Sequence, residues 1–406
     1  MMEKLIKILG VLMKLSNLSV ACMLAVSTLS VSNMAMAESN DFSFTGYARY
    51  GAHYADNGND YVSADGQLAG NAAGRLGNEV NGGEFQFAKG FDGANGTNWD
   101  VVVMLENWWK NDGEYGDVSL KKFYAGVSDV FASQPDLYIW AGRDFHQRPQ
   151  QGLNDYFWMT HDGQGAGFYN LNLGGVFLDL SAVGSTAGSG TGDSGNYAVT
   201  SKLHGMNLSE NVNLSLYANY GFSSDKVEDA GGDASLDAYQ LGAVVGINGG
   251  NLVLRYSDNS DTSVFNKTDG IKTWYASYEG SVGLNERAAV EYLAAYHKYE
   301  SDDKAQERAN YSAIVRPTYA WNDIHSTWLE AGYSLVDYDE SDENSAWKVT
   351  LSQNIAIGGK AWDRPMLRFY ATVGEADNKV GGDGVAVTGD TTRDTFAVGA
   401  MFEAWW

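Results

Sequence analysis

Residues 395–406 read TFAVGAMFEAWW. Phe396, Val398, Ala400, Phe402, Ala404 and Trp406 fall on one face of an extended strand, and Ala397, Gly399, Met401, Glu403 and Trp405 on the other. Side chains alternate across a strand with period two, so the two closing tryptophans point opposite ways. Chain ends are ordinarily frayed and polar, but this one alternates to its last residue. A half-buried last strand of a soluble sandwich would give the same pattern, so the rest of the chain has to decide.

The opening residues point to export. Lys4, Lys7 and Lys14 precede the apolar stretch LSVACMLAVSTLSV, which is followed by Ala35-Met36-Ala37. This is the order of a secretory signal with cleavage before Glu38, so residues 1–37 are read as a signal peptide and 38–406 as the folded unit. A lipid anchor at Cys22 fits less well, because Ser19 stands where a large aliphatic is wanted. Cys22 is the one cysteine, so the exported part has no disulfide framework. No later stretch holds the roughly 18 unbroken apolar residues of a membrane helix.

The chain carries 27 Lys and Arg against 51 Asp and Glu, a formal net charge of −24, which argues against nucleic acid as a partner. Mean hydropathy is only −0.30. Yet there are 24 Tyr, 16 Phe and 12 Trp, a load that a soluble protein would hide in its core. A membrane barrel displays such rings in girdles at both interfaces and keeps a polar interior.

Alternating runs recur from Asp41 onward, about 18 in all, beginning near 41, 79, 98, 119, 136, 165, 175, 197, 210, 237, 250, 271, 286, 308, 325, 345, 364 and 392. In RPMLRFYATVG, Leu367, Phe369, Ala371 and Val373 oppose Arg368, Tyr370 and Thr372. Short links such as 171–175, 246–250, 281–286 and 319–325 alternate with polar stretches at 54–78, 108–118, 145–164, 184–196, 221–236, 258–270, 298–307, 338–344 and 375–391. Short periplasmic turns and long external loops in that order characterise an outer-membrane barrel. The expected fold is all-β: a transmembrane antiparallel β-barrel of about 18 strands. No linker or composition break divides it, and no repeat of the propeller kind is evident. In this reading the Phe396–Trp406 face meets lipid and lipopolysaccharide, while Glu403 and Trp405 face the lumen.

The residues now resemble a known family, the maltoporins and sucrose porins. DFSFTGYARYG (41–51), RLGNE (75–79), IWAGRDFHQR (139–148), NDYFW (154–158) and GAG (165–167) carry the resemblance in the first half. VRPTYAW (315–321), HSTWLEAGY (325–333), WDRPMLRFYATVG (362–374) and FEAWW (402–406) carry it in the last third, whereas 170–310 matches poorly. The resemblance implies a homotrimer of 18-stranded barrels with one loop folded into the pore. It also implies a slide of aromatic rings for sugars, flanked by charged partners for their hydroxyls. Tyr47 matches the first position of the slide and Trp405 its periplasmic end, and Tyr239 corresponds to its mid-chain aromatic. Trp108 or Trp109 resembles the loop tryptophan that reaches into a neighbouring pore. Arg148, Asp155 and Phe157 match the constriction. Arg49, Arg75, Glu84, Arg316 and Arg368 are read as polar sugar contacts.

The sequence also departs from the family. No ring stands at Gly82 or Gly83, and parity turns Asn310 inward and Tyr311 outward. Gln150, Gly152 and Thr160 replace constriction residues, and the first-loop disulfide is missing. The slide is therefore expected to be shortened and the constriction altered.

An enzyme is disfavoured. The histidines are scattered, His161-Asp162 lies where the third loop returns, and no nucleophile elbow or metal-ligand pattern occurs. The reading assigns no cofactor, no metal and no catalytic residue. The alternative is a general diffusion porin, which would lack lumenal rings and the 139–148 block.

Overall fold

The computed structural model describes residues 41–59, 61–108, 117–186 and 192–406; the expected signal peptide and Trp109 lie outside them. The chain opens with β1 (Phe42–Ala55), β2 (Gly82–Asp92), β3 (Asn98–Trp108), β4 (Ser119–Ser128) and β5 (Tyr138–Asp144). A small hairpin follows, β6 (Gln150–Gln151) and β7 (Tyr156–Phe157). Next come β8 (Gly163–Asn172), β9 (Phe177–Ser185), β10 (Asn196–Ser209), β11 (Val212–Ser223), β12 (Ala238–Ile247) and β13 (Gly250–Asp258). The run ends with β14 (Ile271–Gly283), β15 (Ala288–Ser301), β16 (Arg308–Ala320), β17 (His325–Tyr338), β18 (Glu343–Ala356), β19 (Met366–Asp377) and β20 (Thr392–Trp405).

All of these except β6 and β7 form one 18-stranded antiparallel sheet, and β1 pairs with β20 to close it. Closure satisfies every edge, which a strand inside a bilayer requires. The barrel strands begin within a few residues of the sequence-based starts. Two external links are shorter than expected: 302–307 and 339–342 are tight because β15 to β18 run on for 13 or 14 residues each.

The closing stretch takes the parity read from sequence. Ala397, Met401 and Glu403 are buried inside, while Phe396, Val398, Phe402 and Trp406 are exposed outside. Trp406 packs beside Phe44 (5.4 Å) and Phe85 (6.0 Å), and Phe44 stacks on Phe87 (5.0 Å). These outward rings make part of an aromatic girdle at the short-turn end.

The lumen is filled from above. The third external loop (145–162) folds inward as expected, seating Leu153, Trp158 and Met159 against Tyr217, Val253 and Leu293 of the wall. Two further loops join it. In 56–81, Leu76 packs on Trp328 and Met366, and Val62 and Ala64 pack on Val336 and Ala346. In 259–270, Val264 and Phe265 pack near Ala198 and Ala238. Buried backbone on these loops is satisfied by the wall: Lys348 Nζ donates to Gly74 O (2.7 Å), Thr350 Oγ1 to Leu76 O (2.9 Å), and Leu76 N donates to Glu330 (2.8 Å).

The first loop lies so close to β17 that only glycine fits at 332. A Cβ there would stand 2.2 Å from Ala73 O. Gly332→Ala should therefore lift this loop, at the roughly 1–3 kcal/mol that overpacking costs. Single-channel conductance should rise while far-UV circular dichroism stays that of the barrel. Unchanged conductance would mean that the first loop does not narrow the lumen.

Candidate functional site

The seam where the barrel closes collects the lumenal rings. Antiparallel register sets Trp405 opposite Tyr47, Tyr47 opposite Glu84, and Glu84 opposite Glu106. One step up, Glu403, Arg49, Gly82 and Trp108 form the next row. Tyr47 lies 6.5 Å from Trp405 and 6.2 Å from Trp108, and Trp405 lies 6.3 Å from Trp362. Trp362–Trp405–Tyr47–Trp108 is thus a continuous run of four half-buried rings. Trp362 was not among the residues singled out from sequence. It sits in the turn 357–365, where no strand parity marks its direction.

Trp108 needs correction. It is the last residue of β3 rather than part of a loop, and its even parity turns the ring into its own barrel. The ring lies over Gly82, where a Cβ would come within 2.2 Å of it, and the Arg49 guanidinium stands 5.3 Å from its centre. The ring missing at Gly82 is therefore supplied by the neighbouring strand, and glycine makes the room. Trp109 falls outside the described residues.

Tyr239 is also corrected. On β12, Ala238 and Gln240 are buried inward, so period two puts Tyr239 on the outer face, 51% exposed and 5.3 Å from Tyr220. Asn310 faces inward, accepting from Leu68 N (2.8 Å), and Tyr311 faces outward beside Tyr296 (5.2 Å).

The charged residues divide into two groups. Arg75 of the first loop and Arg316 and Arg368 of the wall are buried and held in ion pairs. Arg75 pairs with Glu403, and its Nη2 also donates to Tyr47 Oη (2.9 Å), which itself donates to Glu403 (2.9 Å). Arg368 bonds Glu79 (2.5 Å) and Glu403 (3.0 Å), and Arg316 bonds Glu330 (2.6 Å). Arg75 and Arg368 tie the loop to the wall through Glu403 and Glu79, whereas Arg316 pairs within the wall with Glu330, which itself accepts from Leu76 N of the loop. Buried in these pairs, the three arginines are not open pore contacts.

The second group gathers at the third loop, where Arg148, Glu84, Asp155 and Asp162 are partly exposed and Arg49 is buried behind Asp155. Arg49 pairs with Asp155 (2.7 Å), which also accepts from Gln150 (2.8 Å). Burial works against the Asp155 carboxylate, but Arg75 and Arg49 outweigh it and hold its pKa below the ordinary value. The Arg148 guanidinium is sandwiched between Phe145 (4.1 Å) and Phe157 (4.0 Å). Its Nη1 is 3.7 Å from Glu84 and 3.6 Å from Asp162, too long for hydrogen bonds. Arg148, Glu84, Asp162 and Asp155 thus keep hydrogen-bonding capacity facing the channel.

His161 and Asp162 form no dyad. The His161 ring accepts from Val264 N (3.3 Å) on the opposite loop, and burial pushes its pKa down to about 3, so it is neutral. Glu403, Asp162 and Trp362 were overlooked as site residues. Lumenal parity on the last strand was the available signal for Glu403.

Asp162 supplies a pH test. Burial, reinforced by Asp144 and Glu84 and only partly offset by Arg148 and Lys121, raises its pKa to about 6. It is ionised above that pH and neutral below it, so the constriction loses one negative charge on acidification. The cation share of the current should fall between pH 7 and pH 5. Asp162→Asn should hold it at the low-pH value throughout, as read from reversal potentials across a salt gradient.

Comparison with known proteins places this geometry. The LamB porin family profile matches residues 42–406. The maltoporin of Vibrio cholerae serotype O1 El Tor Inaba is 29% identical over 411 residues, covering 89% of this chain and 94% of that one. The maltoporin of the Classical Ogawa strain is likewise 29% identical, covering 89% and 93%. Among solved structures, Pseudomonas aeruginosa OccK3 superposes with a TM-score of 0.48 at 11% identity, covering 91% of this chain and 97% of that one. With its barrel closed by 18 antiparallel strands and the family profile running through nearly all of the described chain, the protein is an outer-membrane β-barrel channel and belongs to the LamB porin family.

Proposed function

We propose that the channel carries sugars or short oligosaccharides of the maltodextrin or glucoside kind down their gradient, without bond chemistry, as a homotrimer in the outer membrane. The observation that carries this reading is the run of four lumenal rings, Trp362, Trp405, Tyr47 and Trp108, each about 6 Å from the next. A pyranose presents apolar C–H patches on its faces and hydroxyls at its edges. Ring faces receive the first, and charged groups beside them receive the second as charge-assisted hydrogen bonds. Arg49, Asp155, Arg148 and Glu84 stand where such edges would pass, and Phe157 narrows the way. Several similar weak sites in a row let a ligand enter and leave, which conduction requires. The maltoporin names of the relatives agree with a sugar as cargo.

The test is conductance in a planar bilayer, titrated in turn with maltohexaose, sucrose and cellobiose. Saturable block is expected, and the tightest blocker indicates the substrate class. Trp405→Ala and Trp362→Ala should each weaken block by about 1 kcal/mol, the value of an aromatic contact. Ohmic current without block by any of the three would favour a general diffusion porin and leave the rings as wall packing.

A further inference from the structure

The external mouth holds a cavity of about 290 Å³ that the ring run does not include. It lies between the start of the first loop, the end of β19 and the start of β20. Tyr61, Asp65, Asn378 and Arg393 shape it, with Asn59 and Ser63 at its edge. Its size falls at the lower limit of small-molecule sites, about 300 Å³, which suits one ring rather than a chain of them.

Two features set this cavity apart from the packed loop interior. Among the described residues, neither the Arg393 guanidinium nor the Asp65 carboxylate makes a hydrogen bond or ion pair, whereas Arg49, Arg75, Arg316, Arg364 and Arg368 are all bonded. The backbone that presents these free groups is nevertheless fixed. Asp65 N donates to Asn378 Oδ1 (2.8 Å), and Asp65 O accepts from Asn344 Nδ2 (2.9 Å). Asn57 and Asn59 both donate to Asp394 O, at 2.8 and 3.0 Å, and so hold the loop beside Arg393. In register, Arg393 faces Ala376, whose small side chain leaves the space open.

Tyr61 links the cavity to the pore. Its ring is 54% exposed, yet its hydroxyl lies within electrostatic reach of Asp155 and Arg49. Arg49 in turn stands over Trp108, the upper end of the ring run.

We infer that this cavity is a capture subsite for the leading unit of an incoming sugar. Tyr61 offers the ring face, and Arg393 and Asp65 the hydroxyl partners, ahead of the pore itself. The inference rests on the proposed sugar cargo and adds a first binding step on the outer side. The fixed backbone keeps Arg393 and Asp65 at the mouth, so occupancy there raises the rate at which sugars reach the constriction.

The experiment is current-noise analysis of block by neutral maltohexaose, added to one side of the bilayer at a time. For Tyr61→Ala, and independently for Arg393→Gln, the association rate from the external side should fall about five-fold. Association from the periplasmic side and open-channel conductance should stay unchanged. A neutral sugar removes charge steering as an explanation. Trp405→Ala serves as the contrast, since it should speed dissociation whichever side the sugar enters from. If wild-type block is normal and both mouth variants keep the external association rate, the capture subsite is wrong while the sugar pore stands. If no sugar blocks the wild type, the pore reading fails and the subsite with it.

Discussion

A single buried carboxylate gathers four other segments of the chain at the closure of this barrel. Glu403 on β20 receives Arg75 from the first loop, Arg364 from the turn before β19, Arg368 from β19, and the Tyr47 hydroxyl from β1. Glu79 of the first loop bonds Arg368 from the other side. A charge removed from water is tolerable only when it is paired and hydrogen-bonded, and removing one partner leaves the others uncompensated. Four separate segments are therefore held to one point. Trp328 lies beneath the cluster, with Arg316, Arg364 and Arg368 standing 5.1 to 5.6 Å from its ring.

The ring run depends on that point. Tyr47 owes its position both to the β1–β20 register and to its bonds with Arg75 and Glu403. Trp405 is two residues beyond Glu403, and its face is covered by the Arg364 guanidinium at 4.6 Å. One arginine of the Glu403 cluster thus also packs on the lumenal tryptophan. On the other side, Phe145 and Phe157 clamp Arg148 flat, so the constriction presents a rigid cation between rings rather than a mobile chain. The channel runs between a wall fixed by ion pairs and a loop fixed by stacking.

Parity explains both the successes and the errors of reading the sequence. Where a residue sits inside a strand with clear alternation, its direction follows at once. Trp405, Trp406, Arg368 and Asn310 are of this kind. Tyr239 lies in such a strand too, but family correspondence was followed against the parity set by Ala238 and Gln240, and it misled. Trp108 failed for a different reason: the end of β3 runs into a polar segment whose composition reads as loop. Trp362 belongs to a turn, which has no period to read.

The sequence by itself determined the class of fold, the approximate strand number and the outward face of the strands with clear alternation, such as 367–373 and 396–406, all of which follow from short-range period and turn composition. Its family motifs added the third loop inside the lumen. Only the tertiary structure decided that two more loops fill the barrel and that Arg75, Arg316 and Arg368 are buried in ion pairs rather than open pore contacts. It also decided that Trp108 replaces the ring missing at Gly82. Each of these is a contact between segments apart in sequence: Gly82 with Trp108, Ala73 with Gly332, Arg75 with Glu403. Side-chain alternation reports which way a residue points; it carries no information on which distant segment comes to cover that side chain.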